Sequence, residues 1–190
     1  MKRGAAIAVL LFASLARAEP RAVFVAQPGR IVAALLPVSL LDEREVKKQL
    51  GSGLTTTFLL VAQQREGDQR GATRIEVRYD LWDEVWLVRR IETDGRDDRQ
   101  RLASREALEK WWRAPVRLFA ANEDRVMLKV TLTVLPFSVA EGEDARQWIA
   151  KSGSLGAPGA TSPLVTALIG TTISAKPIRS YHWSADISFK

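Results

Sequence analysis

Two groups of carboxylates are the residues best able to do chemistry: Asp80, Asp83 and Glu84 beside Trp82, and Glu141, Glu143 and Asp144 before Trp148. Two acids about 5 to 10 Å apart across an aromatic cleft could hydrolyse a glycosidic bond. The ordinary interpretation is a solvated turn and the acidic start of a helix, because charged side chains mostly lie on the surface. We therefore keep a glycan-active hydrolase as an alternative and predict no catalytic residue.

The chain lacks the side chains that most other catalytic and metal sites require. It has no cysteine, which excludes disulfides, thiolate metal sites and thiol catalysis. Its one histidine, His182, would have to serve alone in any zinc site or Ser-His-Asp triad, and we interpret it as a solvated strand residue. The sequence thus predicts no enzyme, no metal site and no cofactor.

Tryptophan and arginine are the residue types that indicate binding instead. The chain has six tryptophans, and Trp82 is the one we most expect to be exposed. Trp111 and Trp112 are adjacent, so one of them is expected to be partly exposed, since neighbouring helix residues do not share a face. Exposed aromatic rings favour protein, carbohydrate or lipid-headgroup contacts, whereas buried rings pack the core. The partner-binding candidates are Trp82, Asp83, Trp86, Arg89, Arg90, Trp111 and Trp112.

A predicted β-hairpin positions most of these candidates. Residues 74–81 alternate strictly between charged and apolar side chains, and residues 85–91 form the predicted partner strand. A three-residue loop, residues 82–84, would place Glu76 opposite Arg90, a favourable pair of opposite charges.

The remaining segments predict a mainly β fold. Strands are expected over four further segments: Arg30–Leu41, Thr55–Gln63, Val126–Val134 and Tyr181–Phe189. Short helices are expected over Asp42–Leu50, over Arg105–Trp112 with Ser104 as N-cap, and over Glu141–Ala150. Residues 94–99 are expected to form a polar turn or loop. The prediction is an antiparallel, β-sandwich-like domain with two or three short helices, and an α+β arrangement is the alternative.

The first eighteen residues predict a signal peptide. Lys2 and Arg3 precede a short apolar run, and Ala16-Arg17-Ala18 forms a cleavage site. We expect cleavage after Ala18, a periplasmic or secreted protein, and no transmembrane helix once the leader is removed. Loss of Lys2, Arg3 and Arg17 lowers the formal net charge from +6 to +3, a mild excess that predicts no nucleic-acid partner.

The expected domain organisation has four parts. These are the signal peptide (1–18), a β-rich domain (19–150), a hinge rich in Gly, Ser and Pro (151–163), and a C-terminal segment (164–190). The terminal strand of the last segment is expected to pack on the same domain.

A series of short segments carries a family resemblance. In order, these are Leu50-Gly51-Ser52-Gly53-Leu54, the strand Thr55–Val61, Arg78-Tyr79-Asp80-Leu81, the helix Ser104–Leu108, and a long strand ending on Leu135-Pro136. Over about residues 31–136 the chain resembles domain-of-unknown-function family 4390 of small exported bacterial proteins. The resemblance implies an exported, mainly β protein with no established enzyme chemistry, and it carries over no catalytic residue.

Three functions are therefore considered. The first is a non-enzymatic accessory or binding module of the cell envelope, which would contact a protein or glycan through the Trp82–Trp86 hairpin and the arginines around it. The second is a small outer-membrane β-barrel, because the last strand alternates and carries Phe189 near its end. The third is the glycan-active hydrolase.

Overall fold

The structure is a computed structural model that describes residues 19–136 and 177–189 of the chain. Its strands are β1 (Val23–Gln27), β2 (Ile31–Leu35), β3 (Thr56–Gln64), β4 (Arg70–Asp80), β5 (Val85–Ile91), β6 (Asp97–Leu102), β7 (Val116–Ala120), β8 (Arg125–Leu135) and β9 (Arg179–Ser188). Its helices are a short 3-10 helix (Val38–Asp42), α1 (Arg44–Leu50) and α2 (Arg105–Trp112). Strands hold 53% and helices 15% of these residues, which confirms the predicted mainly β fold.

The strands form two antiparallel sheets around one core. One sheet has the order β1-β2-β7 and the other has the order β6-β5-β4-β3-β8-β9. Val32 of the smaller sheet and Phe58 and Leu132 of the larger sheet belong to the same buried cluster, as does Trp112 of α2. The larger sheet therefore has a core face and an opposite face, which we call the outer face.

The two sheets approach most closely where β7 crosses β4. A Cβ atom added at Gly71 would overlap the carbonyl oxygen of Leu118, so only glycine lets the two backbones approach this far. The Thr73 hydroxyl donates a hydrogen bond of 2.9 Å to the Arg117 carbonyl beside this crossing. The crossing thus joins the sheets through backbone contact as well as through apolar packing.

Both α-helices in the described part of the chain follow the predicted end signals. The Ser104 hydroxyl accepts a hydrogen bond of 3.2 Å from the Ala107 amide, as expected of an N-cap. α1 begins two residues later than predicted, and Gly51 caps its C-terminus. The third predicted helix, residues 141–150, lies outside the described residues, as do the leader and the hinge.

Several strand predictions need correction. The segment predicted as one strand over residues 30–41 is β2 followed by the 3-10 helix, because Pro37 lacks the amide that would continue the ladder. Residues 97–102, half of which were expected to lie in a polar loop, form the edge strand β6. β1 and β7 were not predicted. The terminal strand is confirmed, because β9 pairs with β8 along its whole length.

Within residues 19–136 and 177–189, no helix has the length and apolar character needed to cross a membrane; the longest, α2, has eight residues.

We predict that Gly71→Ala destabilises the fold by about 2 to 3 kcal/mol, because the added methyl group must displace the β7 backbone. The free energy of unfolding in urea measures this. Gly51→Ala is the matched control, since Gly51 has a φ of −77° and its added methyl group would meet ordinary contact distances of 3.5 Å or more. Equal stability of the Gly71→Ala variant and the wild type would contradict the close crossing.

Candidate binding surface

The β4–β5 hairpin differs from the predicted register by one residue. Asp80 lies opposite Val85, and the loop has four residues, 81–84, where three were predicted. Two features favour the longer loop: the Asp80 carboxylate accepts hydrogen bonds from the Trp82 and Asp83 amides at 3.0 and 3.2 Å, and Glu84 adopts a left-handed φ of 53°.

This shift reverses the faces of β5. Glu76 lies opposite Arg89, whereas the predicted register paired it with Arg90. Because side chains alternate along a strand, Arg90 turns to the core face and Arg89 to the outer face. The predicted Glu76–Arg90 pair is therefore wrong.

The hairpin tip, residues 81–84, is the most exposed apolar part of the larger sheet. The Trp82 side chain is 95% exposed, as expected, and Leu81 is 58% exposed. Asp83 pairs with Arg101 at 3.0 Å. Amide hydrogen bonds lower the pKa of Asp80, which is opposite to the raised pKa that a catalytic general acid needs. Asp80 therefore shapes the turn and is unsuited to act as a general acid.

An arginine-rich cleft lies behind the tip on the outer face. Arg78 of β4 and Arg101 of β6 flank Leu87 of β5 in one cross-strand row. In the next row Arg89 lies opposite Arg99. Together with the Glu76 carboxylate, these residues line a cleft of about 390 Å3. We call Arg78, Leu87, Arg89, Arg99 and Arg101 the arginine face.

Asp97 makes the close approach of Arg89 and Arg99 possible. Its carboxylate accepts hydrogen bonds from Arg89 Nε and Nη2 at 2.8 and 2.9 Å, and from Arg99 Nη2 at 2.7 Å. These charged donors hold the pKa of Asp97 well below its usual range. Like charges directly opposite repel, so a shared carboxylate offsets the repulsion between the two guanidinium groups.

Arg90 is buried on the opposite side of the sheet. It is 6% exposed, and its guanidinium lies 4.5 Å from the centre of the Trp111 ring. It donates a hydrogen bond of 3.2 Å to the Trp111 carbonyl. Burial lowers the pKa of Arg90, while the Glu92 and Asp98 carboxylates raise it. Arg90 is thus part of the packing beneath α2 and presents no surface to a partner.

Trp111 and Trp112 are both buried, so the expectation that one of them is partly exposed is wrong. Trp112 packs against Phe58 with ring centres 4.8 Å apart. The Trp111 indole donates to Asp98 of β6 at 2.9 Å. Two neighbouring rings can both be covered because α2 faces the core on one side and the β5–β6 edge on the other.

Trp86 is half-buried on the core face. It lies opposite Tyr79, with ring centres 4.8 Å apart, and packs against the core cluster. Of the seven predicted binding residues, the hairpin therefore brings together Trp82, Asp83 and Arg89 on exposed or outer-face positions.

Neither the metal-ligating side chains nor His182 forms a candidate site in the described part of the chain. Among residues 19–136 and 177–189, no group of three or more metal-ligating side chains is placed to hold an ion. His182 is exposed on β9, with Nδ1 3.2 Å from the Thr131 hydroxyl, as expected of a solvated residue. Glu141, Glu143 and Asp144 lie outside the described residues.

Comparison of the chain with known protein families, with curated proteins and with solved structures finds no match. The resemblance to domain-of-unknown-function family 4390 stays a prediction.

Sequence reasoning missed Arg78, Arg99 and Arg101. A signal for them existed, because Asp97, Arg99 and Arg101 alternate with Asp98, Gln100 and Leu102. The first set is entirely charged, whereas the second contains one charged, one polar and one apolar residue, so the contrast between the sets is a weak pattern for a strand.

We predict that Arg90→Ala lowers the free energy of unfolding by about 3 kcal/mol, because it removes the contact with the Trp111 ring and the hydrogen bond to the Trp111 carbonyl and leaves a cavity beneath α2. Arg99→Ala is the control from the exposed side of the same sheet, and it should cost less than about 1 kcal/mol. Urea denaturation distinguishes the two. Similar losses in both variants would contradict the different roles assigned to these arginines.

We also predict that Asp97 contributes to acid sensitivity. Its folded-state pKa is below the unfolded value of about 3.9, so its stabilising effect is present above that pH and is lost as the pH falls toward the folded-state pKa. Asp97→Asn should remove part of the decline in stability below about pH 4, an effect smaller than about 1 kcal/mol because the pairs are partly exposed. Denaturation curves across this range measure it, with Asp68→Asn in the exposed β3–β4 turn as control. Identical slopes for wild type and Asp97→Asn would contradict the assignment.

Proposed function

We propose that the protein is an exported, non-enzymatic binding module of the cell envelope and that the hairpin tip contacts its partner. The observation that carries the proposal is the 95% exposure of Trp82 in the turn of the β4–β5 hairpin. A large aromatic side chain this exposed gains little from folding, whereas burial against a partner would remove its apolar surface from water.

The turn also supports binding because it holds Trp82 in a defined place. The Trp82 amide is itself hydrogen-bonded to the Asp80 carboxylate, and Asp83 is tied to Arg101 of β6. A side chain carried on an ordered turn loses less conformational entropy when it binds than one on a mobile loop. Tryptophan and arginine are also the side chains that most often dominate binding energy at interfaces.

The arginine face gives the proposed surface a charge preference. Arg99 and Arg101 have side chains that are 65% and 59% exposed, so they can reach a partner. Guanidinium groups bind carboxylate and phosphate oxygens in pairs of hydrogen bonds. We infer that the partner presents acidic groups beside an apolar patch.

We predict that Trp82→Ala weakens binding to isolated cell-envelope fractions by at least about tenfold while leaving the free energy of unfolding unchanged. Sedimentation of the purified mature chain with those fractions measures binding. Val23→Ala is the matched control, since Val23 of β1 is also an exposed apolar residue, at 57%, but belongs to the other sheet.

Unchanged binding of the Trp82→Ala variant would refute the role of the hairpin tip. The mass of the protein recovered from cells tests the export half of the proposal: a chain that begins at Glu19 is expected, and a chain that retains the leader would contradict it.

A further inference from the structure

We propose that the partner of the hairpin tip is a bilayer surface bearing anionic phosphate headgroups. The inference rests on the proposed binding function and names the chemical class of the partner. Three observations carry it: an exposed apolar triad, cationic side chains set behind that triad, and the arrangement of the two in layers.

The apolar triad consists of Leu54, Leu81 and Trp82, which are 53%, 58% and 95% exposed. It comes from two neighbouring turns, because a Cβ at Gly53 would lie 2.9 Å from a terminal carbon of Leu81. The Leu81 side chain therefore packs against the backbone of the turn that carries Leu54. Tryptophan and leucine together on a projecting end are typical of surfaces that enter the boundary between headgroups and acyl chains.

The cationic side chains lie one step behind this triad. Arg78 and Arg101 are 41% and 59% exposed and flank Leu87, so their backbones are about 10 Å apart across two strand spacings. Among the residues that the structure describes, the one ion pair of Arg78 is a distant pairing with Asp80 at 3.8 Å, and the Asp80 carboxylate already accepts two amide hydrogen bonds. The Arg78 guanidinium is thus well placed to bind a phosphate oxygen above Leu87.

The acids at the same end are largely engaged. Asp80 accepts the turn amides and Asp83 pairs with Arg101. α1 adds cations here, because the exposed Lys47 and Lys48 stand in its last turn, shortly before the Gly53 turn. When all charges of α1 are counted with the tip, Arg44, Lys47, Lys48, Arg78 and Arg101 outnumber Glu45, Asp80, Asp83 and Glu84 by one. The small excess implies that apolar insertion and charge attraction must act together.

The order of the two layers favours a bilayer over an acidic protein segment. Leu81 and Trp82 lie in the turn, whereas the row that holds Arg78, Leu87 and Arg101 lies within the strands, three residues back from Leu81 along β4. A bilayer surface has the complementary order, with phosphate groups outside and hydrocarbon beneath. A protein groove would instead surround Trp82 and need not place anions at the level of Arg78 and Arg101.

Flotation of the mature chain with phospholipid vesicles tests the inference. We expect binding to vesicles of phosphatidylcholine mixed with phosphatidylglycerol to be at least about tenfold tighter than to phosphatidylcholine alone, and to weaken with added salt. Trp82→Ala should reduce binding by a similar factor. The double variant Arg78→Gln/Arg101→Gln should lower binding to the anionic vesicles to the level of the neutral ones.

The matched control is Arg65→Gln/Arg113→Gln, which removes the same charge from exposed positions in the β3–β4 turn and at the end of α2. It should bind like the wild type. An equal loss in this control would show that net charge alone governs binding and would overturn the inference. Full competition by soluble glycerol 3-phosphate would also overturn it, because the site would then be one for a small anion.

The vesicle result separates this inference from the proposed function. No flotation with anionic vesicles, combined with Trp82-dependent sedimentation with envelope fractions, would refute the lipid partner and leave the binding module intact. Absence of Trp82-dependent binding in both assays would refute both.

Discussion

The hydrogen bonds between the Asp80 carboxylate and the amides of the hairpin tip set the arrangement of the whole candidate surface. They extend the loop to four residues and thereby fix the β4–β5 register. Register decides which β5 side chains face the core and which face outward. Trp86, Val88 and Arg90 consequently face the core, and the outer face receives the side chains that form the arginine-rich cleft. A capping interaction of one side chain thus determines the chemistry of two surfaces.

The consequence is clearest at two successive arginines. Arg89 is paired with Asp97 in a cleft open to solvent, whereas Arg90 lies beneath Trp111 among buried groups. The half-buried Arg89 side chain keeps part of its hydration while it donates two hydrogen bonds to the Asp97 carboxylate. The buried Arg90 guanidinium has lost its hydration. It contacts the Trp111 ring, donates hydrogen bonds to backbone carbonyls and lies near carboxylates. The two residues are of the same type and adjacent in the chain, so only the strand geometry separates an arginine of the outer face from one buried under α2.

The degree to which the fold follows from the sequence varies with the strength of each local signal. β4, β8, β9 and α2 could be predicted, because their apolar periodicity or N-cap is strong and independent of distant residues. β6 could not, because an edge strand carries charges that discourage pairing with other chains and so resembles a loop. Of the candidate site, the exposure of Trp82 was predictable. The burial of Arg90, Trp111 and Trp112 was not, since it depends on a one-residue register and on the docking of α2.

The order of strands in the larger sheet also bears on when the chain can fold. β3 pairs with β8, more than sixty residues further along, and β9 joins the sheet last. The Trp183 indole donates to the Pro20 carbonyl across 163 positions, so residues near the two ends of the described structure must meet. Pairings between segments so distant in the chain form slowly. A polypeptide emerging in order from the ribosome therefore cannot complete the larger sheet until β9 has been made.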